Sequence, residues 1–210
     1  MIIFEANNVV FCLLDNPKCG STLIKKVISP QIIKKYKIIF NSGHLNIHKS
    51  GYDNIEYNHC NLKGGILFLQ KKGIDINNVV FITTIRNPIE RVLSSYYYEL
   101  KIKKLKHWKS EDVYKDIKDF LEWEHLKQFY PDKFRCYENY KITELLKLEN
   151  IQEDFYNLIK KYNLDIDTCA LNKVINKNEH KQILLDDETI ESIKSKYKID
   201  FLDGGYLSNN

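Results

Sequence analysis

The sequence predicts an α/β fold: a parallel sheet flanked by helices, in a single domain covering residues 1–210, with a mostly helical C-terminal half. Two apolar runs carry that prediction. Val9–Leu14 is a short run followed by a Pro/Gly-containing loop and then a helical pattern. Val79–Ile85 (VVFITTI) is a continuous β-branched and aromatic run, as expected of a strand buried on both faces, and a second helical pattern follows it. Buried strands alternating with helices favour parallel pairing with both sheet faces covered.

The elements follow in order. Strand one is Val9–Leu14, and the helix after its loop starts at Thr22, runs to Ile28 and stops at Pro30, because proline cannot continue the helical hydrogen-bond ladder. Lys37–Phe40 is a short strand leading to Ser42-Gly43-His44-Leu45-Asn46. Ile66–Lys72 reads as a helix ended by Gly73. After Val79–Ile85, Asn87-Pro88 interrupts the strand, and Pro88 suits the first turn of a helix from Ile89 to about Lys104. Glu111–Leu126, Gln152–Tyr162 and Asp187–Tyr197 read as helices. Asp186 or Asp187 would cap the last of these. Ile142–Leu148 fits a third core strand or a helix, and periodicity does not separate the two.

Hydrophobic residues make up 43% and charged residues 29%, which suits a packed core and not disorder. No apolar run approaches the ~18 residues that a membrane span needs. No basic leader precedes the first apolar stretch, so no signal peptide is expected, and the chain reads as soluble or cytoplasmic without a membrane anchor. A net charge of +4 suits anionic ligands without the dense basic face that nucleic acid would require. The five cysteines form no C-x-x-C pair, so the pattern predicts no zinc site.

Asn16-Pro17-Lys18-Cys19-Gly20-Ser21-Thr22 is the most informative segment. It joins a strand to a helix N-terminus, where unpaired backbone N–H groups and a partial positive charge favour an anion. Gly20 allows close backbone approach, Lys18 adds a full charge, and Ser21 and Thr22 add hydroxyl donors. The frame is P-loop-like, but the loop is not a Walker A motif, because Lys18 precedes the only glycine. The second strand ends in Arg86, where a Walker B strand would place a magnesium-binding Asp. The plain structural role for the segment is a capped strand–helix turn.

The second constellation is Ile85-Arg86-Asn87-Pro88-Ile89-Glu90-Arg91-Val92-Leu93-Ser94-Ser95-Tyr96-Tyr97. Arg86 at a strand end and Ser94 in the following helix make a candidate phosphate clamp, a planar guanidinium fork with a hydroxyl. For Arg91, a salt bridge with a neighbouring carboxylate is the preferred reading.

Together these motifs resemble the two signatures of the sulfotransferases that use 3′-phosphoadenosine 5′-phosphosulfate (PAPS). Those read roughly P-K-x-G/A-S-T and R-[DN]-P-x-x-R-x-x-S-x-Y. Further segments are similar in order: Leu148-Glu149-Asn150 with the helix after it, Leu171-Asn172-Lys173, and Tyr197-Lys198-Ile199-Asp200-Phe201 followed by Gly205-Tyr206. The set spans most of the chain. It is most similar to the membrane-type carbohydrate sulfotransferases, especially the uronosyl 2-O-sulfotransferase branch. Cys19 departs from that pattern, which more often has Thr, Ser or Ala there.

The resemblance implies roles. Pro17, Lys18, Cys19, Gly20, Ser21 and Thr22 would wrap the 5′-phosphosulfate, with Lys18 at the oxygen that leaves. Arg86 and Ser94 would hold the 3′-phosphate, and Lys173 and Lys177 would belong to a loop over the nucleotide, with ordinary surface lysines as their plain reading. The product would be adenosine 3′,5′-bisphosphate, and no metal is implied. A thiol at Cys19, beside Lys18 and a helix start, would be sensitive to alkylation, although the transfer needs no cysteine nucleophile.

A base must take the acceptor proton, and His suits that near neutral pH. Gly43-His44-Leu45 resembles the segment carrying the catalytic His in the 2-O branch, which makes His44 the candidate; His48 is its rival, and a carboxylate such as Glu56 is the alternative. The acceptor implied is a hydroxyl, by resemblance a glycan. The basic run Lys101–Lys109, Trp123 and His125 are candidates to line its groove, with solvated or core roles as their plain reading. Two other functions fit the same frame: a nucleotide-dependent kinase or phosphotransferase, and a non-catalytic binder of anionic ligands.

Overall fold

The computed structural model describes residues 1–41, 60–101, 113–122, 130–172 and 185–206. The chain divides into two compact units, residues 1–85 with 134–175, and residues 86–133 with 176–210.

The first unit is built on a sheet. β1 (Ile2–Ala6) and β2 (Val9–Leu14) form an antiparallel hairpin, with Ile2 opposite Leu13 and Ala6 opposite Val9. Asn7 and Asn8 make the turn with φ of 51° and 61°, the positive values that a two-residue hairpin of right-handed twist requires and that Asn tolerates. β3 (Lys37–Asn41) pairs antiparallel with β1 on its other side, with a register shift between Ile3 and Phe4. β4 (Val79–Ile85) pairs parallel with β2. Two short strands, β5 (Cys136–Tyr137) and β6 (Tyr140–Lys141), form a separate hairpin, and β7 (Glu144–Lys147) pairs parallel with β4. The order is β3-β1-β2-β4-β7, so the sheet is mixed and not wholly parallel as the sequence suggested. The difference comes from β1, an apolar run whose Asn-Asn turn folds it back on β2.

Helices flank both faces of this sheet. The segment after the β2 loop is helical throughout, as α1 (Ser21–Leu23), a π-helical turn (Ile24–Ile28) and α2 (Ser29–Lys35). Pro30 therefore lies inside the helical stretch and does not end it. The wider π turn takes the strain: it precedes the proline, and Ser29 N–H bonds back to Ile24 O across five residues. Ile24, Ile28 and Ile32 pack with Phe4, Phe11 and Val80 on one face, beside Phe155 and Leu158 of α7 (Ile151–Tyr162). On the other face, α3 (Leu62–Lys71) sets Gly65 against β2, where a Cβ would stand 3.3 Å from Leu14 Cδ2 and 3.4 Å from Cys12 Sγ. Gly73, at φ +71°, follows this helix at the expected stop. The undecided Ile142–Leu148 segment holds the strand β7, its backbone drawn into the ladder beside β4.

The second unit is helical among its described residues: α4 (Pro88–Lys101), α5 (Val113–Leu121), α8 (Asp187–Lys196) and α9 (Lys198–Gly204), with α6 (Pro131–Phe134) at its boundary with the first unit. Its core gathers Val92, Tyr96, Phe120, Ile193, Tyr197 and Phe201. Ile102 to Lys104, expected to extend α4, and Trp123 to Leu126, expected to extend α5, lie outside the described residues. Among the described residues, no helix is long and apolar enough to cross a membrane.

Candidate functional site

The loop after β2 is fixed from below. Asn16 is fully buried, and its side-chain amide donates to Thr84 O at 2.8 Å. Thr83 Oγ1 donates to Leu14 O at 3.3 Å. These bonds join the C-terminal ends of two adjacent parallel strands, the edge where α/β sheets bind ligands.

Above that base the backbone turns through two left-handed residues, Lys18 at φ +63° and Gly20 at φ +87°. Positive φ is uncommon for a lysine and carries a cost that concentrates at ligand sites. Gly20 is favoured by its φ, and a Cβ there would stand 2.6 Å from Leu148 Cδ1, so the Leu148 side chain would have to shift. Leu148 opens the 3-10 turn Leu148–Asn150 after β7. Cys19 N–H donates to Asn16 O at 3.3 Å, and Leu23 and Ile24 N–H both donate to Gly20 O. Among the described residues, the N–H groups of Gly20, Ser21 and Thr22 donate to no backbone carbonyl. Three amides at a helix start, following left-handed turns, make a concavity of a kind that suits an anion. Cys19 is fully buried, so its thiol lies under the loop, closed to reagents, contrary to the sensitivity expected from its position.

A small cleft opens beside this loop within the first unit. Its walls include Ile2, Leu14 and Ile24, with Ser21 of the loop. Asp15, 7% exposed, lies on its wall, and Lys25 Nζ pairs with the carboxylate at 2.5 Å. Neither Asp15 nor Lys25 was singled out from the sequence. The available signal was an acidic residue ending an apolar strand just before the Pro-Lys turn.

In the second unit, Asn87 caps α4: its side-chain oxygen accepts from Ile89 N–H at 3.0 Å, with Pro88 next to it in the first turn. Arg86 Nη2 lies 3.2 Å from Glu90 Oε2, an exposed pair of small energetic weight. Ser94 is 5% exposed. Arg91 takes the salt-bridge role expected of it: Nη1 meets Asp200 Oδ2 at 3.1 Å, both side chains almost fully buried, and the guanidinium lies 5.4 Å from the centre of the Tyr197 ring. The Arg-x-x-x-x-Arg segment and the Tyr-x-x-Asp segment are therefore partners through Arg91.

The structure thus brings Pro17 to Thr22 together with Leu148 in one unit and holds Arg86 and Ser94 in the other. His44, His48, Glu56, His107, Trp123, His125, Lys173 and Lys177 lie outside the described residues. No group of three His, Cys, Asp or Glu side chains suited to a metal occurs among the described residues. The chain matches no protein-family model, no curated protein and no solved structure.

Proposed function

We propose that this protein is a sulfotransferase on a P-loop-like frame, moving a sulfuryl group from PAPS to a hydroxyl acceptor. The observation that carries the reading is the loop itself. Lys18 and Gly20 are held left-handed at a helix start, with three amides that donate to no backbone carbonyl among the described residues. Such a cradle fits the phosphosulfate end of that donor. The ordered motif set supports it, and so does the contact of Arg91 with Tyr197 and Asp200, which links two segments of that set.

In this reading Lys18 and the loop amides stabilise charge on the leaving phosphate, and Arg86 with Ser94 holds the 3′-phosphate. The bound donor supplies an activated sulfuryl group. The acceptor oxygen bonds to sulfur in line as the bond from sulfur to the 5′-phosphate oxygen breaks, and that oxygen keeps the electron pair. His44 takes the acceptor proton.

Calorimetric titration with adenosine 3′,5′-bisphosphate without metal, beside ATP with magnesium, tests the reading. The bisphosphate is expected to bind at least about tenfold more tightly than ATP, with Lys18→Ala and Arg86→Ala each weakening it by about tenfold or more, the effect of losing one charge-assisted contact. His44→Ala is expected to keep nucleotide affinity and lose turnover. Tight magnesium-dependent ATP binding would move the assignment to phosphoryl transfer.

A further inference from the structure

The β2 loop is strained, and what holds it in shape bears on how it would bind an anion, a role that rests on the sulfotransferase reading. Lys18 at φ +63° and Gly20 at φ +87° turn the chain through left-handed conformations. Such conformations persist where the surrounding structure fixes them from several sides. The strand side of the loop is tied to the sheet: the Asn16 side chain donates to Thr84 O at 2.8 Å, and Thr83 Oγ1 donates to Leu14 O at 3.3 Å. The helix side is seated by Leu23 and Ile24 in the core. Apolar packing is non-directional, so it resists separation of the helix from the sheet better than rotation or sliding.

The Asp15–Lys25 pair supplies a directional link between the two sides. Asp15 follows the last residue of β2 and opens the loop, and Lys25 lies in the π turn beyond it. Lys25 Nζ stands 2.5 Å from Asp15 Oδ2, which closes residues 15–25 into a ring containing the amides of Gly20, Ser21 and Thr22. The Asp15 side chain is 5% exposed and that of Lys25 45%, so one end of the tie is anchored inside the protein. The buried Met1 amino group also faces Asp15.

We propose that Asp15 and Lys25 are positioning residues that hold the β2 loop amides in the arrangement that binds the anion. The sign of the electrostatics separates this role from a direct one. If Lys25 met the anion itself, or if only the local potential mattered, deleting the Asp15 charge would leave Lys25 and the Met1 amino group uncompensated and would tighten anion binding. If the pair acts through position, deleting that charge loosens the loop and weakens binding, against the electrostatic trend.

Calorimetric titration of the whole chain with adenosine 3′,5′-bisphosphate reads that sign. Asp15→Asn, nearly equal in volume, is expected to weaken binding about threefold to tenfold, the range of one hydrogen bond lost. Lys25→Met should weaken it similarly, and Lys25→Arg, which keeps a cation for Asp15, should stay within about twofold of wild type. The double variant Asp15→Asn with Lys25→Met should be no weaker than the poorer single one, because a single tie is lost either way. In ligand-free Lys25→Met, whose changed side chain is half-exposed, ¹⁵N relaxation should show the amides of Gly20, Ser21 and Thr22 more mobile than in wild type, whereas a direct contact predicts no change. Bisphosphate binding by Asp15→Asn as tight as wild type or tighter, or loop amides of unchanged order in Lys25→Met, overturns the positioning role and leaves the sulfotransferase reading standing. A wild-type chain that binds no bisphosphate removes the sulfotransferase reading, and the same comparison is then made with pyrophosphate, followed by the shifts of those three amides. Weaker pyrophosphate binding in Asp15→Asn keeps the positioning role; absence of any shift in wild type overturns it.

Discussion

Gly20 shows how one residue can be constrained from two directions. Its φ of +87° penalises any side chain, and the space a Cβ would need is filled by Leu148 Cδ1 at 2.6 Å. Gly20→Ala is expected to destabilise the chain by about 1–3 kcal/mol and to reduce bisphosphate affinity. Adding Leu148→Ala should relieve the contact but not the backbone strain, so denaturant titration should show only partial recovery in the double variant. Arg91 is constrained by charge. Arg91→Met leaves Asp200 buried without its guanidinium and is expected to cost about 3–5 kcal/mol, read by urea unfolding. Arg91→Met with Asp200→Leu should cost clearly less than the two single changes summed, because no lone charge then remains buried. Both roles were half legible. The glycine and the arginine are visible in their motifs, but their partners lie 128 and 109 residues further along the chain.

Among the elements, α8 has the most local specification. Asp186 accepts from Thr189 N–H at 2.7 Å, and Asp187 and Glu188 occupy the first turn, where the helix dipole favours negative charge. The Thr189 hydrogen bonds, and then Lys118, hold the Asp186 carboxyl below its ordinary value of 3.8. A carboxyl whose folded value is depressed stabilises the fold above its unfolded value and ceases to do so as pH falls through the folded one. The thermal midpoint of Asp186→Asn is therefore expected to lie below wild type at about pH 6 and to converge with it as pH drops below about 3.8. Capping residues of this kind are readable because cap and helix are sequence neighbours; Asp186 or Asp187 was expected as the cap on that basis, and Asp186 takes the role. The helix after the β2 loop shows the limit of local reading. Pro30 is a strong stop signal, yet Ile28 and Ile32 on either side of it are buried in one core, and the π turn lets the chain continue so that both pack there.

For the molecule as a whole, the sheet order decides where protection concentrates. β4 is buried at all seven positions, and β1, β2 and β4 have neighbours on both sides, whereas β3 and β7 are the edges among the described residues. Hydrogen exchange is expected to be slowest in β2 and β4 and faster along the outer sides of β3 and β7; equal protection across all five strands would contradict this. The amino-acid sequence alone determined the α/β class, the core strands Val9–Leu14 and Val79–Ile85, the position of the strand–helix loop at residues 16–22 and most helix starts. Those depend on apolar periodicity, caps and turn residues that act within a few positions of one another. Tertiary structure decided the mixed sheet, the burial of Cys19, the seat of Leu148 on Gly20, the Arg91–Asp200 pair and the Asp15–Lys25 cleft. Each of these arises where separate elements meet, and burial or charge partnership there is set by which surfaces close on one another, which no local pattern encodes.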